Sequence, residues 1–214
     1  MDYQMMKKLA LIALAAPVFA GTPEPVVTMP APAPAAPCCA LELGVGYNNA
    51  AKDLGKQISN KEIDTVGIDL TAVHSFTPKH AVTFRIGAAQ GDEIFSDVPF
   101  RCKEYLRTVS IMPGYRFTQP VSEKTSLFCG VNGGLVNQHV HIKDTWAYGT
   151  YNDDDSAWGW GATAEVGVSY KLCPCSELFA AYQLSGNTIH NKIDGMETHR
   201  QIHNGVRVGV GIKF

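Results

Sequence analysis

Hydrophobic and polar positions alternate along most of this chain, most clearly in its last ten residues. One face of that segment carries Val206, Val208, Val210, Ile212 and Phe214. The opposite face carries glycine, arginine and lysine. Side chains alternate between the two faces of a strand, and a buried parallel strand would be apolar on both. The pattern therefore predicts a strand that lies between lipid and a polar interior.

Seven earlier segments alternate in the same way. They cover about residues 41–47, 64–76, 81–89, 105–117, 126–136, 158–170 and 178–185. Short and long connections alternate strictly between the eight segments, as periplasmic turns and extracellular loops do in outer-membrane barrels. We therefore predict an all-β fold: an eight-stranded antiparallel up-and-down transmembrane β-barrel whose last strand pairs with the first. Phe128 and Phe179 break the alternation by pointing inward, which we expect near a barrel end.

The N-terminal region has a different composition. Lys7 and Lys8 precede a short apolar run that ends in a typical cleavage site, so residues 1–20 are predicted to be a signal peptide. The run is too short to cross a bilayer as a helix. Residues 21–37 are rich in proline and alanine and predict a periplasmic linker, which leaves residues 38–214 for the barrel. The residues before Cys38 make a poor lipobox, which disfavours a lipoprotein.

Several features together resemble a known family. The export signal, the eight amphipathic strands, Met112-Pro113-Gly114-Tyr115-Arg116-Phe117 before a short turn and the terminal Phe214 resemble the small, porin-like OmpA/OmpX-like outer-membrane barrels. The resemblance is architectural and covers about residues 41–214. It implies a place in the bacterial outer membrane with both termini in the periplasm, surrounded by outer-membrane lipid and lipopolysaccharide. It also implies that the barrel-insertion machinery reads Phe214, and no peptidoglycan-binding domain is expected.

Charged residues are predicted to point into the barrel. Asp69, Arg85, Glu165 and Arg207 fall on inward positions near mid-strand. Inward positions nearer the periplasmic end hold Glu42, Arg116, Lys171 and Lys213. Eight strands leave an interior just wide enough for side chains, where charges must pair or be hydrated. We predict that Asp69 and Glu165 pair with Arg85 and Arg207. The resemblance favours a polar plug made by this network, and a narrow ion-conducting pore is the alternative.

Six cysteines in an exported chain suggest disulfides. Cys38 and Cys39 begin the first strand, and Cys173 and Cys175 lie in a predicted periplasmic turn, so bridges between the two groups are predicted. A four-thiolate metal site is a weaker alternative, because an oxidising compartment disfavours free thiolates. The remaining cysteines, one in a loop and one facing lipid, are predicted to be unpaired: Cys102 and Cys129.

Candidate catalytic residues are sparse. A lipid-A-modifying enzyme would need a serine beside a histidine and a carboxylate. His139 and His141 precede Asp144, but Ser156 is separated from them by a predicted loop. The two histidines are also weak evidence for a metal, and Asn152 with the acidic residues 153–155 lacks the spacing of a calcium loop. We predict no catalytic, cofactor-binding or metal-binding residues, and keep a lipid-A-modifying enzyme as an alternative.

Charge narrows the function further. The formal net charge is −2, and no basic stripe that would suit nucleic acid runs along the chain. Specificity usually resides in loops carried by a rigid scaffold. The sequence therefore predicts a protein that acts in envelope structure, or in surface interaction through an extracellular ligand on its loops.

Overall fold

The structure is a computed structural model, and it describes residues 38–51, 64–97, 100–146, 149–189, 191–193, 196–198 and 201–214. The predicted signal peptide and linker, residues 1–37, lie outside the described residues. Within the described ranges, no helix is long and apolar enough to cross a membrane.

The described residues form ten strands. The barrel consists of β1 (Cys38–Ala51), β2 (Thr65–Ser75), β3 (His80–Asp97), β4 (Phe100–Pro120), β5 (Thr125–Trp146), β6 (Gly149–Cys173), β7 (Ser176–Thr188) and β10 (Gln201–Lys213). The small hairpin of β8 (Asn191–Ile193) and β9 (Met196–Thr198) belongs to the β7–β10 connection. Neighbouring barrel strands are antiparallel and follow chain order around the ring, which confirms the predicted eight-stranded up-and-down barrel.

The ring closes between its first and last strands. Leu41 pairs with Ile212, and Tyr47 pairs with Val206. A closed ring satisfies the backbone N–H and C=O groups of both strands, which a lipid environment requires because it offers no water to replace them. The predicted pairing of the terminal strand with residues 41–47 is confirmed.

The two faces of the barrel invert the usual arrangement of a soluble protein. On β10 the outward Val208 and Ile212 are 54% and 57% exposed, whereas the inward Arg207 is 1% exposed. Large exposed aromatic side chains lie at both ends of the outward face: Tyr47, Trp158 and Trp160 at one end, and Phe76, Tyr170 and Phe214 at the other. Aromatic residues favour membrane interfaces. The outward side chains between these two groups form what we call the apolar belt.

Four strands, β3 to β6, extend through two segments that the sequence predicted to be loops. The predicted loops 90–104 and 137–157 continue as two hairpins, with pairing up to Asp97 and Phe100 and up to Trp146 and Gly149. We call this extension, residues 91–97, 100–108, 137–146 and 149–157, the tall sheet. The strands of the tall sheet are rich in polar and charged residues because they lie beyond the apolar belt. This composition is typical of loops, so the sequence predicted loops here. Buried Leu106 and Val140 pack together on its inner face.

Candidate functional site

Three arginines and three carboxylates meet inside the barrel. Their side chains are between 1% and 14% exposed. The six residues come from six different strands: Glu42, Asp69, Arg85, Arg116, Glu165 and Arg207. We call this set the charge network. Its formal charges cancel, which is the condition under which buried ions can be tolerated.

Arg207 has the most polar contacts in the network. Its Nε lies 2.8 Å from Asp69 Oδ2, and its Nη2 lies 2.5 Å from Asp69 Oδ1. The same Nη2 donates to Thr71 Oγ1 at 3.0 Å, and Nη1 donates to Glu42 Oε2 at 3.4 Å. The two-pronged contact with Asp69 uses the planar fork of the guanidinium, a geometry that a lysine could not reproduce.

The two glutamates link the arginines to one another. Glu165 accepts from Arg85 Nη2 at 2.5 Å and from Arg116 Nη2 at 3.1 Å. Glu42 accepts from both terminal nitrogens of Arg116, with Nη2 at 3.0 Å from Oε2, and also from Arg207. Each glutamate therefore joins two arginines, so the contacts form one connected network across the lumen.

Two phenylalanines cover the arginines. The Arg116 guanidinium lies 4.7 Å from the ring centre of Phe128, and that of Arg207 lies 4.4 Å from the ring centre of Phe179. Both rings are buried, at 4% and 5% exposure. We predicted that these residues point inward near a barrel end. They do point inward, three residues from the short-turn ends of β5 and β7, and they also lie against the charge network, where the ring faces attract the cations.

Inward glycines leave room for the network. A β-carbon on Gly44 would lie 2.7 Å from both Arg207 Nε and Asp69 Oδ2. One on Gly130 would lie 3.2 Å from Glu165 Oε1. These glycines face long charged side chains on neighbouring strands, so their lack of a side chain is a packing requirement.

The structure brings together all four residues proposed for the interior network. Asp69 pairs with Arg207, and Glu165 pairs with Arg85. The sequence reasoning placed Glu42 and Arg116 inward but left them outside the network. A signal was present in the sequence, because Glu42 is the one carboxylate among the four further inward charges, and in a narrow lumen it needs a cation as partner.

A polar cavity lies on the tall-sheet side of the network. It has a volume of about 130 Å³, and Asp69 and Arg85 form part of its wall. Polar side chains from several strands also line it, among them Asn48, Ser110, Gln183 and His203. The cavity is large enough for a few water molecules. The lumen therefore holds a polar cavity on the tall-sheet side and is filled by side chains at the charge network.

The outer face of the tall sheet carries three cations, Lys103, Arg107 and Lys143, and, among the described side chains, two carboxylates, Asp92 and Asp154. Arg107 pairs in register with His139, Tyr105 with His141, and Lys103 with Lys143. The Lys103 ammonium lies 4.4 Å from the ring centre of Tyr105. The alternate, inner positions carry carboxylates: Glu104, Asp144, Asp153 and Asp155. Like charges placed directly opposite each other repel, and the Asp92 carboxylate, 3.9 Å from the Lys103 ammonium, relieves part of that repulsion.

The histidine region differs from the sequence prediction. The β5–β6 hairpin places Ser156 opposite His139 and Asp154 opposite His141, so no loop separates them. The Ser156 hydroxyl contacts the side-chain amide of Asn137, with Nδ2 3.3 Å from Oγ. Among the described residues, no cluster of three or more His, Cys, Asp or Glu side chains is arranged to hold a metal.

The cysteines of the predicted bridges lie at the end of the barrel that carries the short turns. Cys173 and Cys175 have their sulfurs 3.1 Å apart, and Cys39 Sγ lies 3.3 Å from His74 Nδ1. Cys129 is exposed on the outward face. The side chains of Cys38 and Cys102 lie outside the described part of the structure.

These features define a class: a small eight-stranded transmembrane β-barrel with an apolar belt and a charged interior. No protein-family model matches the sequence, and no curated protein is significantly similar to it.

Several solved structures are similar to the chain. The attachment invasion locus protein Ail of Yersinia pestis, in complex with the heparin analogue sucrose octasulfate, is 17% identical with a TM-score of 0.45, over 83% of this chain and 99% of that one. Neisserial surface protein A is 14% identical with a TM-score of 0.49, over 82% and 97%. The outer-membrane protease OmpT of Escherichia coli is 8% identical with a TM-score of 0.46, over 84% and 96%.

Proposed function

We propose that this protein is an outer-membrane barrel whose interior is closed by the charge network and whose tall sheet binds anionic groups at the cell surface. The observation that carries the proposal is the group of three cations, Lys103, Arg107 and Lys143, on the outer face of the tall sheet, where they outnumber the two described carboxylates. The short turns and both ends of the barrel chain then face the periplasm, and the tall sheet stands outside the cell.

The dimensions of the barrel support the membrane assignment. The outward apolar positions of β10 run from Val206 to Phe214, which is nine residues. A tilted transmembrane strand needs about 9–11 residues. An outward face of exposed valine, leucine and isoleucine would be destabilising in water, whereas it is favourable in contact with lipid.

The position of the cations identifies the kind of partner. Arg107 lies two residues beyond the lipid-facing Val109 on the same outward face of β4. Lys103 lies four residues further along, or about 13 Å at the usual rise of a strand. These cations therefore stand in the polar layer just outside the hydrocarbon. In the outer leaflet that layer contains the phosphate groups of lipopolysaccharide, which we propose as the ligand.

Replacing Lys103, Arg107 and Lys143 with glutamine tests this proposal, because it removes the positive charges and largely keeps the size of the side chains. In the triple variant K103Q/R107Q/K143Q, each lost cation should cost about 1 kcal/mol of attraction to an anionic surface. Affinity for lipopolysaccharide, measured with the purified protein in neutral detergent, should fall by about 100-fold. The attraction should also weaken with added salt.

A matched control carries the same charge change at the other end of the barrel. Lys79, Lys124 and Lys171 are exposed there, and the triple glutamine variant of these residues should keep the parent affinity. Equal losses in both variants would show that net charge, rather than the tall sheet, governs binding. No loss in either variant would refute the proposed ligand.

Closure of the lumen is the second part of the proposal, and it competes with a narrow ion-conducting pore. The connected contacts among Glu42, Glu165 and the arginines support closure. In planar bilayers the parent should show no steady conductance, whereas R207M should open transient steps because it removes the most connected cation. Steady conductance of the parent would favour the pore.

A lipid-A-modifying enzyme is the other alternative. The observation in its favour is that His139 and Ser156 are cross-strand neighbours. The contact between the Ser156 hydroxyl and Asn137 supports a structural role for this serine instead. Mass spectrometry of lipid A from cells with and without the protein should give the same acyl pattern, and a changed pattern would favour the enzyme.

A further inference from the structure

The turn between β6 and β7 carries two thiols in close contact. Cys173 and Cys175 flank Pro174, and all three residues are exposed. Their sulfurs lie 3.1 Å apart, and the Ser176 hydroxyl lies 3.0 Å from Cys173 Sγ. The turn lies three residues beyond Tyr170, outside the apolar belt, so water-soluble reagents can reach it.

We propose that Cys173 and Cys175 form a redox-active dithiol that exchanges with disulfides in solution. A disulfide needs the two sulfurs about 2.05 Å apart, so closure asks for an approach of about 1 Å between side chains on a two-residue turn. This activity goes beyond the surface binding proposed above and does not depend on it.

The two thiols have unequal reactivity. The Ser176 hydroxyl and then the Cys175 thiol donate hydrogen bonds to Cys173, and these lower the pKa of Cys173 to about 7. The same contact with Cys173 raises the pKa of Cys175. Since the thiolate is the attacking form, Cys173 is the nucleophile and Cys175 is the resolving thiol.

The surroundings of the turn hold it in place. The Lys213 backbone N–H donates to the Cys175 carbonyl at 2.8 Å, which fixes the turn to the last barrel strand. Glu177 accepts from the Lys213 ammonium at 2.7 Å and pairs in register with Lys171. Lys213 and Glu177 thus neutralise each other beside the turn.

The exchange balances with a disulfide as the oxidant. The Cys173 thiolate attacks one sulfur of the disulfide R–S–S–R, forms a mixed disulfide and releases R–S⁻, which takes a proton from water. Cys175 then loses its proton and attacks Cys173 Sγ, which releases the second R–S⁻ and closes the Cys173–Cys175 bond. Two electrons pass from the protein to the partner, which leaves as two thiols.

The barrel separates this pair from the cysteines of β1. Cys39 O accepts from the Phe214 N–H on one side of β10, and Cys175 O accepts from the Lys213 N–H on the other side. Two strand spacings of about 4.8 Å place the two backbones about 10 Å apart. Bridged cysteines have Cα atoms within about 7 Å, so a Cys39–Cys175 bridge would require the sheet end to move.

Peptide mapping can test the exchange directly on the full-length protein in detergent. The protein is reduced, equilibrated with mixtures of reduced and oxidised glutathione, quenched with acid and alkylated. Trypsin then releases residues 172–192, a peptide that contains Cys173 and Cys175 and no other cysteine. We expect this peptide to convert to an unalkylated form that is lighter than the reduced peptide by two hydrogen atoms. A peptide that stays fully alkylated, or one crosslinked to the peptide of Cys38 and Cys39, would overturn the proposal.

Single variants assign the roles. In C175S the exchange should stop at the first step, so a glutathione adduct should accumulate on Cys173. In C173S the adduct should form on Cys175 more slowly, because the Ser176 hydroxyl that lowers the pKa of Cys173 is placed against Cys173 Sγ and would not assist Cys175. C129S, which changes an outward-facing thiol, should behave as the parent. Equal rates of adduct formation in C173S and C175S would refute the assigned roles, and circular dichroism would confirm that each variant is folded.

Discussion

Removal of the Arg207 guanidinium gives the sharpest test of the interior. R207M keeps a long apolar stem but removes the contacts to Asp69, Thr71 and Glu42. Asp69 would keep the Thr71 hydroxyl at 3.1 Å and the more distant Arg85 Nε at 3.9 Å. The network would change from neutral to a net charge of −1 in a site where its side chains are almost fully hidden from water.

The cost of this change follows from burial. Breaking a buried ion pair from one side costs about 3–5 kcal/mol, because it leaves an unpaired charge. R207M should lower the free energy of unfolding by that amount. The double variant R207M/D69N restores neutrality, and it should recover about 1–3 kcal/mol of the loss, the coupling expected between residues in one network.

Urea unfolding in detergent micelles, followed by the fluorescence of Trp158 and Trp160, would measure these values. Lys213→Met supplies the comparison, because Lys213 pairs with Glu177 closer to solvent: their side chains are 29% and 11% exposed. This pair should contribute about 1 kcal/mol or less to the free energy of unfolding. If R207M cost no more than Lys213→Met, or if D69N recovered nothing in the double variant, the network would not stabilise the barrel as argued.

Three further predictions follow from single contacts. Gly44→Ala should destabilise the barrel by about 1–3 kcal/mol, because the added β-carbon would collide with Arg207 and Asp69. Gly133→Ala is the control for the same urea assay. Its β-carbon would have its nearest neighbour 3.7 Å away, so this variant should be nearly neutral. Phe179→Leu should cost about 1 kcal/mol through loss of the ring beneath Arg207, and an unchanged urea midpoint would contradict this. Alkylation of Cys173 should reach half its maximal rate near pH 7, because the lowered pKa makes the thiolate the main form above that pH. Ser176→Ala removes a hydrogen bond that lowers this pKa, so the pH of half-maximal alkylation should rise.

The barrel could be predicted from the sequence because lipid imposes a strict alternation. From Gly205 to Lys213 of β10 each outward position is apolar and each inward position is glycine or a cation, so a register error of one residue would place charge in lipid. Outside the belt this constraint disappears. The tall sheet has polar residues on both faces, and its buried Leu106 and Val140 are too few to distinguish strand from loop.

The charge network could be predicted in part. The alternation pattern places Asp69, Arg85, Glu165 and Arg207 inside the barrel. It does not give the position of each side chain along the barrel axis. Strand stagger sets that position. It places Glu42 of β1 within reach of Arg116 of β4, two residues that are far apart both in sequence and around the ring. Such a contact depends on the register between neighbouring strands, which the alternation pattern of each strand does not specify.

The stability of the barrel and its binding surface are physically separate. The charge network fills the belt region, where glycines make room for three arginines, and the cations of the proposed binding surface lie beyond the belt on side chains exposed to water. Exposed substitutions away from buried networks usually change stability by less than about 0.5 kcal/mol. The variant K103Q/R107Q/K143Q should therefore unfold at nearly the parent urea concentration while losing affinity for lipopolysaccharide. A large drop in its unfolding midpoint would mean that the tall sheet and the barrel form one cooperative unit, and binding data on this variant would then report folding rather than recognition.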